Sequence, residues 1–277
     1  MSARQLLEIR HRGSILSAAF GRDFALQHAL DHATHTWIAE RATSSDGWGT
    51  LEDFIQASYL DLNERDHIPR GLPANSIPFF SWGIVAFDAY TFQARSRSWW
   101  YLLDMIAPDP TRIVPSSLFV PYAGTSATRS ESVVQGFKRK ALWFVRRDGG
   151  LGVPAEGSRP LLWHGEKEFQ RSPWRKTMKI KFNWPGYDGW WEKQIRMDAG
   201  DRSIGRLASL VANKVRDFIY DHDPSVTHSV GTQARWRIGS QAGRISASDI
   251  LVLGILLVSD GAVMPILQVR DNFVFYA

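Results

Sequence analysis

Three histidines near the amino terminus have the spacing of metal ligands. His28, His32 and His35 stand at positions i, i+4 and i+7, so on a helix their imidazole rings would share one face. Asp31 precedes His32 in a spacing that resembles an inverted zincin motif, with the shorter aspartate where a glutamate would act as the base. Because no further ligand motif occurs in the chain, we predict no metal site. A metal-dependent hydrolase built on these histidines is kept as the less favoured alternative.

Other catalytic chemistry has little support in the residue types. The chain has no cysteine, which excludes disulfides, thiolate zinc sites, iron–sulfur clusters and cysteine nucleophiles. It also lacks the Gly-x-x-x-x-Gly-Lys-Ser/Thr phosphate loop and the Gly-x-Ser-x-Gly nucleophile elbow. We therefore predict a protein that is not an enzyme, with no catalytic residues and no cofactor.

Basic residues are concentrated in one stretch. Residues 131–182 hold twelve lysines and arginines against five acidic residues, a net charge of +7, whereas the rest of the chain carries −2. Lysine and arginine bind phosphates, and aromatic side chains among them can stack on unpaired bases. The predicted nucleic-acid contacts are Lys138, Arg139, Lys140, Arg146, Arg147, Arg175, Lys176, Lys179 and Lys181, assisted by Arg4, Arg10 and Arg12 near the amino terminus. The alternative is that these charges only keep exposed sheet faces and edges soluble.

Tryptophan and arginine are both in excess. The chain has 12 Trp, and 25 of its 33 basic residues are Arg. Both residue types are enriched at protein interfaces and at nucleic-acid contacts, because both offer flat stacking surfaces and Arg adds a bidentate fork. A GC-rich gene would give the same bias without any functional demand.

One predicted strand would position the most regular part of the basic stretch. In residues 175–184 the odd positions are Arg175, Thr177, Lys179, Lys181 and Asn183, and the even positions are mainly apolar. Successive side chains of a strand point to opposite faces of its sheet. The pattern predicts that one face packs against the core while the other is cationic.

Helices are predicted first in the chain and strands later. Two or three short helices are expected in the first 60 residues, with breaks near Gly13 and Gly21, and Thr50 is expected to cap a further helix. About eight strands follow, within residues 77–94, 111–122, 132–147, 160–169, 175–184, 235–238, 250–258 and 263–276. One amphipathic helix is expected at residues 202–220. Asp260-Gly261 between apolar runs predicts a closing hairpin whose first arm is covered on both faces.

These elements predict a mainly β protein. We expect a helical amino-terminal extension over residues 1–74 and a β domain over residues 75–277. The longest apolar run, residues 250–258, is about half the length that a membrane-spanning helix needs. No membrane association is therefore predicted.

The carboxy-terminal part resembles a family of viral coat proteins. The segments that carry the resemblance are LWFVRRD at 142–148, EFQ at 168–170, WRKTMKIKF at 174–182, the apolar run at 250–258, ILQVR at 266–270 and NFVFY at 272–276. Their order is similar to the strand series of coat proteins from small circular single-stranded DNA viruses, the geminivirus and genomovirus group, over about residues 130–277. The resemblance implies a single jelly roll, an antiparallel β-sandwich. This chain departs from the family in lacking an arginine-rich amino-terminal arm.

The resemblance and the basic stretch together predict a viral capsid protein. Its subunits would assemble with themselves into an icosahedral shell around single-stranded nucleic acid, with DNA favoured over RNA. Its location would be the virion, assembled inside the host cell, in the nucleus or the cytoplasm. A non-viral nucleic-acid-binding β module is the first alternative, and the hydrolase using His28, His32 and His35 is the second.

Overall fold

The computed structural model describes residues 1–43, 49–59, 72–73, 75–81, 91–93, 99–120, 139–169, 176–197, 200–224 and 232–275. The chain divides into two compact units, Met1–Pro110 and Thr111–Ala277. The sequence predicts this boundary after residue 74. Residues 75–110, which it assigned to the β domain, therefore belong to the first unit.

Four helices begin the first unit: α1 (Ala3–His11), α2 (Ile15–Phe20), α3 (Arg22–Thr43) and α4 (Leu51–Ser58). Hydroxyl side chains cap three of them, since Ser2, Ser14 and Thr50 each accept a hydrogen bond from a backbone N–H in the first turn. The predicted breaks near Gly13 and Gly21 and the predicted Thr50 cap are confirmed. Gly21 has a φ of 94°, which glycine adopts without steric cost.

A three-stranded antiparallel sheet completes the first unit. Its strands are β1 (Ser76–Ser81), β2 (Thr91–Gln93) and β3 (Trp99–Met105), in the order β1-β3-β2. Helices and sheet share one core, in which Leu7, Phe54, Phe79 and Tyr101 are fully buried. Strand β3 was not predicted.

The second unit contains a mixed six-stranded sheet. Its strands are β4 (Lys140–Trp143), β5 (Val153–Pro154), β6 (Thr177–Phe182), β7 (Trp191–Arg196), β8 (Ile250–Ser259) and β9 (Ala262–Val269). The order is β4-β8-β9-β6-β7, and β5 also pairs with β8. The predicted closing hairpin is confirmed by the antiparallel β8–β9 pair, and β8 is covered on both faces as expected. Of the seven strand pairings described, six are antiparallel and β6–β9 is parallel.

The second unit also contains a long helix, α5 (Ile204–Asp221), which packs against the six-stranded sheet. Its apolar stripe is buried, as the sequence pattern predicted, and Ser203 caps its first turn. The Phe218 ring lies 4.7 Å from that of Phe182 and 5.6 Å from that of Trp191. The helix therefore covers the face of the sheet to which Phe182 points.

Three predicted strands are wrong in the described part of the chain. Residues 113–119 make an isolated bridge from Ile113 to Gln268 but no strand, and residues 161–169 form a turn with isolated bridges at Leu162 and Glu168. Ala234–Trp236 is a 3-10 helix, where a strand was predicted at 235–238. Each of these segments contains residues that favour β-strands, but no neighbouring strand runs beside it far enough to form a ladder of hydrogen bonds. Strand β7 was not predicted.

The chain is thus sheet-rich, with a mixed six-stranded sheet, an antiparallel three-stranded sheet and several helices. This is consistent with the mainly β class. In the described ranges, no helix combines the length and hydropathy needed to cross a membrane.

Candidate nucleic-acid interface

The β6–β7 pair builds the face that the sequence predicted to be cationic. In its register Thr177 lies opposite Arg196, Lys179 opposite Gln194 and Lys181 opposite Glu192. Residues directly opposite each other point to the same side of a sheet. We call these six residues the lysine face. The even positions Met178, Ile180 and Phe182 are buried, so the predicted split between a packed and a cationic face is confirmed.

Glu192 neutralises part of the lysine face. Its two carboxylate oxygens pair with the Nζ atoms of Lys179 and Lys181. The hydrogen bond from Lys179 is the main cause of a lowered pKa of the Glu192 carboxyl, and the hydrogen bond from Lys181 is the second. The carboxyl is therefore ionised at neutral pH. The Lys179 side chain is 54% exposed and that of Lys181 only 17%. The face is therefore positive overall but contains one carboxylate at its centre.

Two aromatic side chains adjoin the lysine face. Lys181 Nζ lies 4.1 Å from the centre of the Phe119 ring, and that ring makes an edge contact at 5.4 Å with Trp190. Trp190 is 44% exposed, which is unusual for so large an apolar group. A cation and an exposed indole thus lie within one short chain of contacts, the combination that binds unpaired bases and their phosphates.

The segment that carries Phe119 is held against the sheet by hydrogen bonds. The Val114 N–H donates to the Leu267 carbonyl at 2.9 Å, and the Ser116 hydroxyl donates to Asn183 Oδ1 at 2.6 Å. Sequence reasoning missed Phe119 and Trp190 as site residues. Neither has a local signal, because they meet only through this packing.

Arg146 and Arg147 lie in a tight turn between β4 and β5. The Arg146 N–H donates to the Gly150 carbonyl at 2.8 Å, and Arg146 Nε donates to Asp148 Oδ1 at 2.9 Å. That hydrogen bond is the main cause of the lowered pKa of Asp148. Arg147 pairs with the Glu166 carboxylate. Both predicted contact residues therefore already have acidic partners.

Strand register places Lys140 away from the lysine face. Lys140 lies opposite Leu257 of β8, and Leu257 lies opposite Val263 of β9. Val263 in turn lies opposite Ile180 of β6. Lys140 therefore shares the face of Ile180, whereas the lysines of β6 occupy the other face. One continuous surface does not include all three lysines.

The other predicted contacts are dispersed. Lys176 is exposed just before β6, Arg139 is half-buried just before β4, and Lys138 and Arg175 fall outside the described residues. Arg4, Arg10 and Arg12 belong to the first unit: Arg4 pairs with Glu8 at 3.3 Å, Arg10 Nη2 donates to the Tyr59 carbonyl at 3.4 Å, and Arg12 is exposed. Of the predicted contacts, the structure brings Lys179 and Lys181 together on one face.

The three spaced histidines turn largely into the first unit's core. His28 and His32 are buried, and the His32 ring makes edge contacts with Phe79 at 4.8 Å and with Tyr101 at 5.0 Å. His35 Nδ1 lies 2.6 Å from the Asp31 carbonyl oxygen. Across the described residues, no group of three or more His, Cys, Asp or Glu side chains could hold a metal ion. The geometry gives the hydrolase alternative no support.

Comparison with known proteins adds no assignment. A scan of protein-family models, a search of curated proteins and a search of solved structures each found no match.

Proposed function

We propose that this chain binds single-stranded nucleic acid through the lysine face, as the subunit of a viral capsid. The observation that carries the proposal is the contact series from Lys181 through Phe119 to the exposed Trp190. Phosphates would pair with Lys179, Lys181 and Arg196, and an unpaired base would stack on the Trp190 indole. No catalytic step belongs to this function.

The capsid part of the proposal rests on the resemblance of residues 130–277 to coat proteins of small circular single-stranded DNA viruses. A jelly roll is built from antiparallel strands, and four of the five strand pairings described within residues 130–277 are of that kind. Leu161 and Val274 are each more than two-thirds exposed, and contacts between copies in an icosahedral shell would cover such residues. The enclosed strand would be DNA rather than RNA, and the protein would be found in virions assembled in the host nucleus or cytoplasm.

The size and nucleic-acid content of the native protein test the capsid part. Size-exclusion chromatography with the 260/280 nm absorbance ratio read across the peak would be followed by negative-stain imaging. We expect uniform particles in the void volume with a ratio typical of nucleoprotein. A late peak of monomer size would contradict the capsid. If that monomer still bound oligonucleotides, the result would favour the alternative function, a non-viral nucleic-acid-binding module.

Charge reversal on the lysine face tests the binding part. Changing Lys179 and Lys181 to Glu should lower the bound nucleic acid about tenfold or more, because two attractive charges become repulsive. A matched control changes Lys167 and Lys193, which are exposed and lie outside the lysine face, to Glu. The milder Lys179→Gln, Lys181→Gln pair guards against misfolding caused by three adjacent carboxylates. Equal binding by the wild type and both face variants would refute the assignment.

A further inference from the structure

A second basic site lies at the end of the six-stranded sheet, in the second unit. A cleft of about 630 Å³ opens where β5 and β8 meet the segment that follows β9. Its lining includes Arg146, Arg159 and Arg270, with Pro154, Pro160 and Leu251 as apolar walls. Its volume falls within the range of small-molecule sites. Of the three arginines, only Arg146 belongs to the contacts predicted from sequence.

Each arginine of the cleft is anchored by contacts of its own. Arg159 Nη2 donates to Asn213 Oδ1 on α5 at 2.6 Å. The Arg270 N–H donates to the Asp249 carbonyl at 2.8 Å, and the Arg270 carbonyl accepts a hydrogen bond from Arg112 Nη1 at 2.6 Å. Arg146 is held by its bond to a neighbouring aspartate in the turn. The Arg146 and Arg159 side chains are thus held in place and lose less conformational entropy when a ligand binds, whereas in Arg270 these bonds fix the backbone.

Two of these guanidinium groups have unused donors. The Nε atoms of Arg159 and Arg270 are buried, and within the described part of the chain neither has a hydrogen-bond partner. A buried N–H without a partner is costly, and more so on a charged group. Burial and the nearby charge of Arg216 also lower the pKa of Arg159, so its charged form is destabilised in the unliganded protein. An anion bound beside these guanidinium groups would stabilise their charged form.

The carboxylates of the cleft leave positive charge uncompensated. Asp148 accepts hydrogen bonds from Arg146 Nε and from the Gly150 N–H, both at 2.9 Å. Asp271 Oδ1 accepts one from Gln268 Nε2 at 3.2 Å. Three arginines against two such carboxylates give a positive lining, and guanidinium groups match the geometry of phosphate oxygens.

We infer that this cleft binds the phosphate group of a nucleotide. A phosphate offers enough oxygens to engage several guanidinium groups at once, whereas a carboxylate has two. The proline and leucine walls provide a surface for the sugar or the base. The nucleotide is either free or one unit of a nucleic-acid strand. The cleft shares no residue with the lysine face. This inference can therefore fail while the proposed function holds, and the proposed function can fail while this inference holds.

Titration with small probes tests the inference. The probes are deoxyadenosine monophosphate, inorganic phosphate and, as the uncharged control, deoxyadenosine, with binding measured by calorimetry. We expect both phosphate compounds to bind and deoxyadenosine not to bind. Changing Arg159 and Arg270 to Gln should weaken binding of the monophosphate about tenfold or more. Arg206→Gln, an exposed site on α5 outside the cleft, should leave it unchanged.

Further variants separate loss of the site from loss of the fold. Arg159→Lys with Arg270→Lys keeps the charge but removes the planar fork, and we expect an intermediate affinity. At Gly150 a Cβ atom would lie 2.3 Å from Arg146 Nη2, so Gly150→Ala should displace the Arg146 side chain and weaken binding without changing the charge. Wild-type protein that does not bind the monophosphate at millimolar concentration, or a glutamine pair that binds it normally, would overturn the inference.

A short oligodeoxyadenylate distinguishes the two sources of the phosphate. If the oligonucleotide displaces the monophosphate and the Arg159, Arg270 glutamine pair weakens both, the cleft holds a unit of the strand. If oligonucleotide binding depends only on Lys179 and Lys181 while the monophosphate still needs the arginines, the ligand is a free nucleotide. Both outcomes support a nucleotide phosphate site in the cleft. Neither of them is the result that would refute binding at the lysine face, which is equal oligonucleotide binding by the wild type and the Lys179, Lys181 variants.

Discussion

The two units treat polar groups in opposite ways. Among the described residues, every buried polar or charged side chain belongs to Met1–Pro110, including His11, Glu40 and Asp104, and the core of Thr111–Ala277 is apolar. Burial of a polar group is tolerated only where hydrogen bonds compensate its lost hydration. The first unit therefore relies on buried polar partners in addition to its apolar core, whereas the second, in its described residues, has no polar or charged side chain that is buried as a whole.

The polar centre of the first unit is a three-residue network. Asp104 Oδ2 lies 3.2 Å from His11 Nδ1, and His11 Nε2 lies 3.2 Å from the Tyr59 hydroxyl. Asp104 Oδ1 also accepts hydrogen bonds from the backbone N–H groups of Leu16 and Met105. One carboxylate thus connects α1, α2 and β3.

Removal of that carboxylate is expected to have the largest effect. Asp104→Ala should lower the free energy of unfolding by ~3–5 kcal/mol, because it leaves several buried donors without a partner. Hydrogen exchange measured by mass spectrometry should show loss of protection first in peptides from residues 1–110. Asp31→Ala, at an exposed position, is the control and should change little. A small effect of Asp104→Ala would break the contrast between the two units.

Overpacking tests the apolar core of the second unit. A Cβ atom on Gly254 would lie 2.4 Å from the Leu142 carbonyl oxygen, so Gly254→Ala must push β4 and β8 apart. We expect a loss of ~1–3 kcal/mol in the free energy of unfolding, measured in urea. Gly261→Ala, in the hairpin turn with no atom within 4 Å of the added Cβ, is the matched control. Similar stabilities for the two variants would show that β4 can move without cost.

Alkaline pH should weaken the first unit through Tyr59. Burial, and next the Asp104 charge, raise the pKa of the Tyr59 hydroxyl above the ordinary value of 10.0. The unfolded chain then loses this proton first, so stability present below pH 10 falls as the pH rises further, by about 1.4 kcal/mol per pH unit at most. Tyr59→Phe should flatten this dependence in urea titrations between pH 9 and 11. An unchanged slope would exclude Tyr59 as its source.

The smallest expected effect is a gain in nucleic-acid affinity when the carboxylate of the lysine face is removed. Glu192→Gln removes the carboxylate that pairs with Lys179 and Lys181, so affinity for a single-stranded oligonucleotide should rise roughly two- to fivefold. Glu168→Gln makes the same charge change outside the lysine face. Fluorescence anisotropy at constant salt would measure both. Equal gains in the two variants would indicate a general charge effect and not a local one.

Local signals in the sequence determined the helices and the closing hairpin. The Thr50 cap, the apolar stripe of α5 and the Asp260-Gly261 turn each act over a few residues, because capping, helical periodicity and turn geometry are short-range effects. The alternation of residues 177–182 likewise determined which β6 side chains are buried. The resemblance to coat proteins and the charge distribution supplied the functional hypothesis.

Contacts between different parts of the folded chain decided the remainder. Strands β3 and β7 exist because partners lie beside them, and strand register put Lys140 on the other face from Lys179. The cleft brings Arg146 and Arg270 together from distant parts of the chain. No short stretch of sequence contains both of these arginines. Hydrogen bonding between strands and close packing of the core bring them together, and both depend on the whole folded chain.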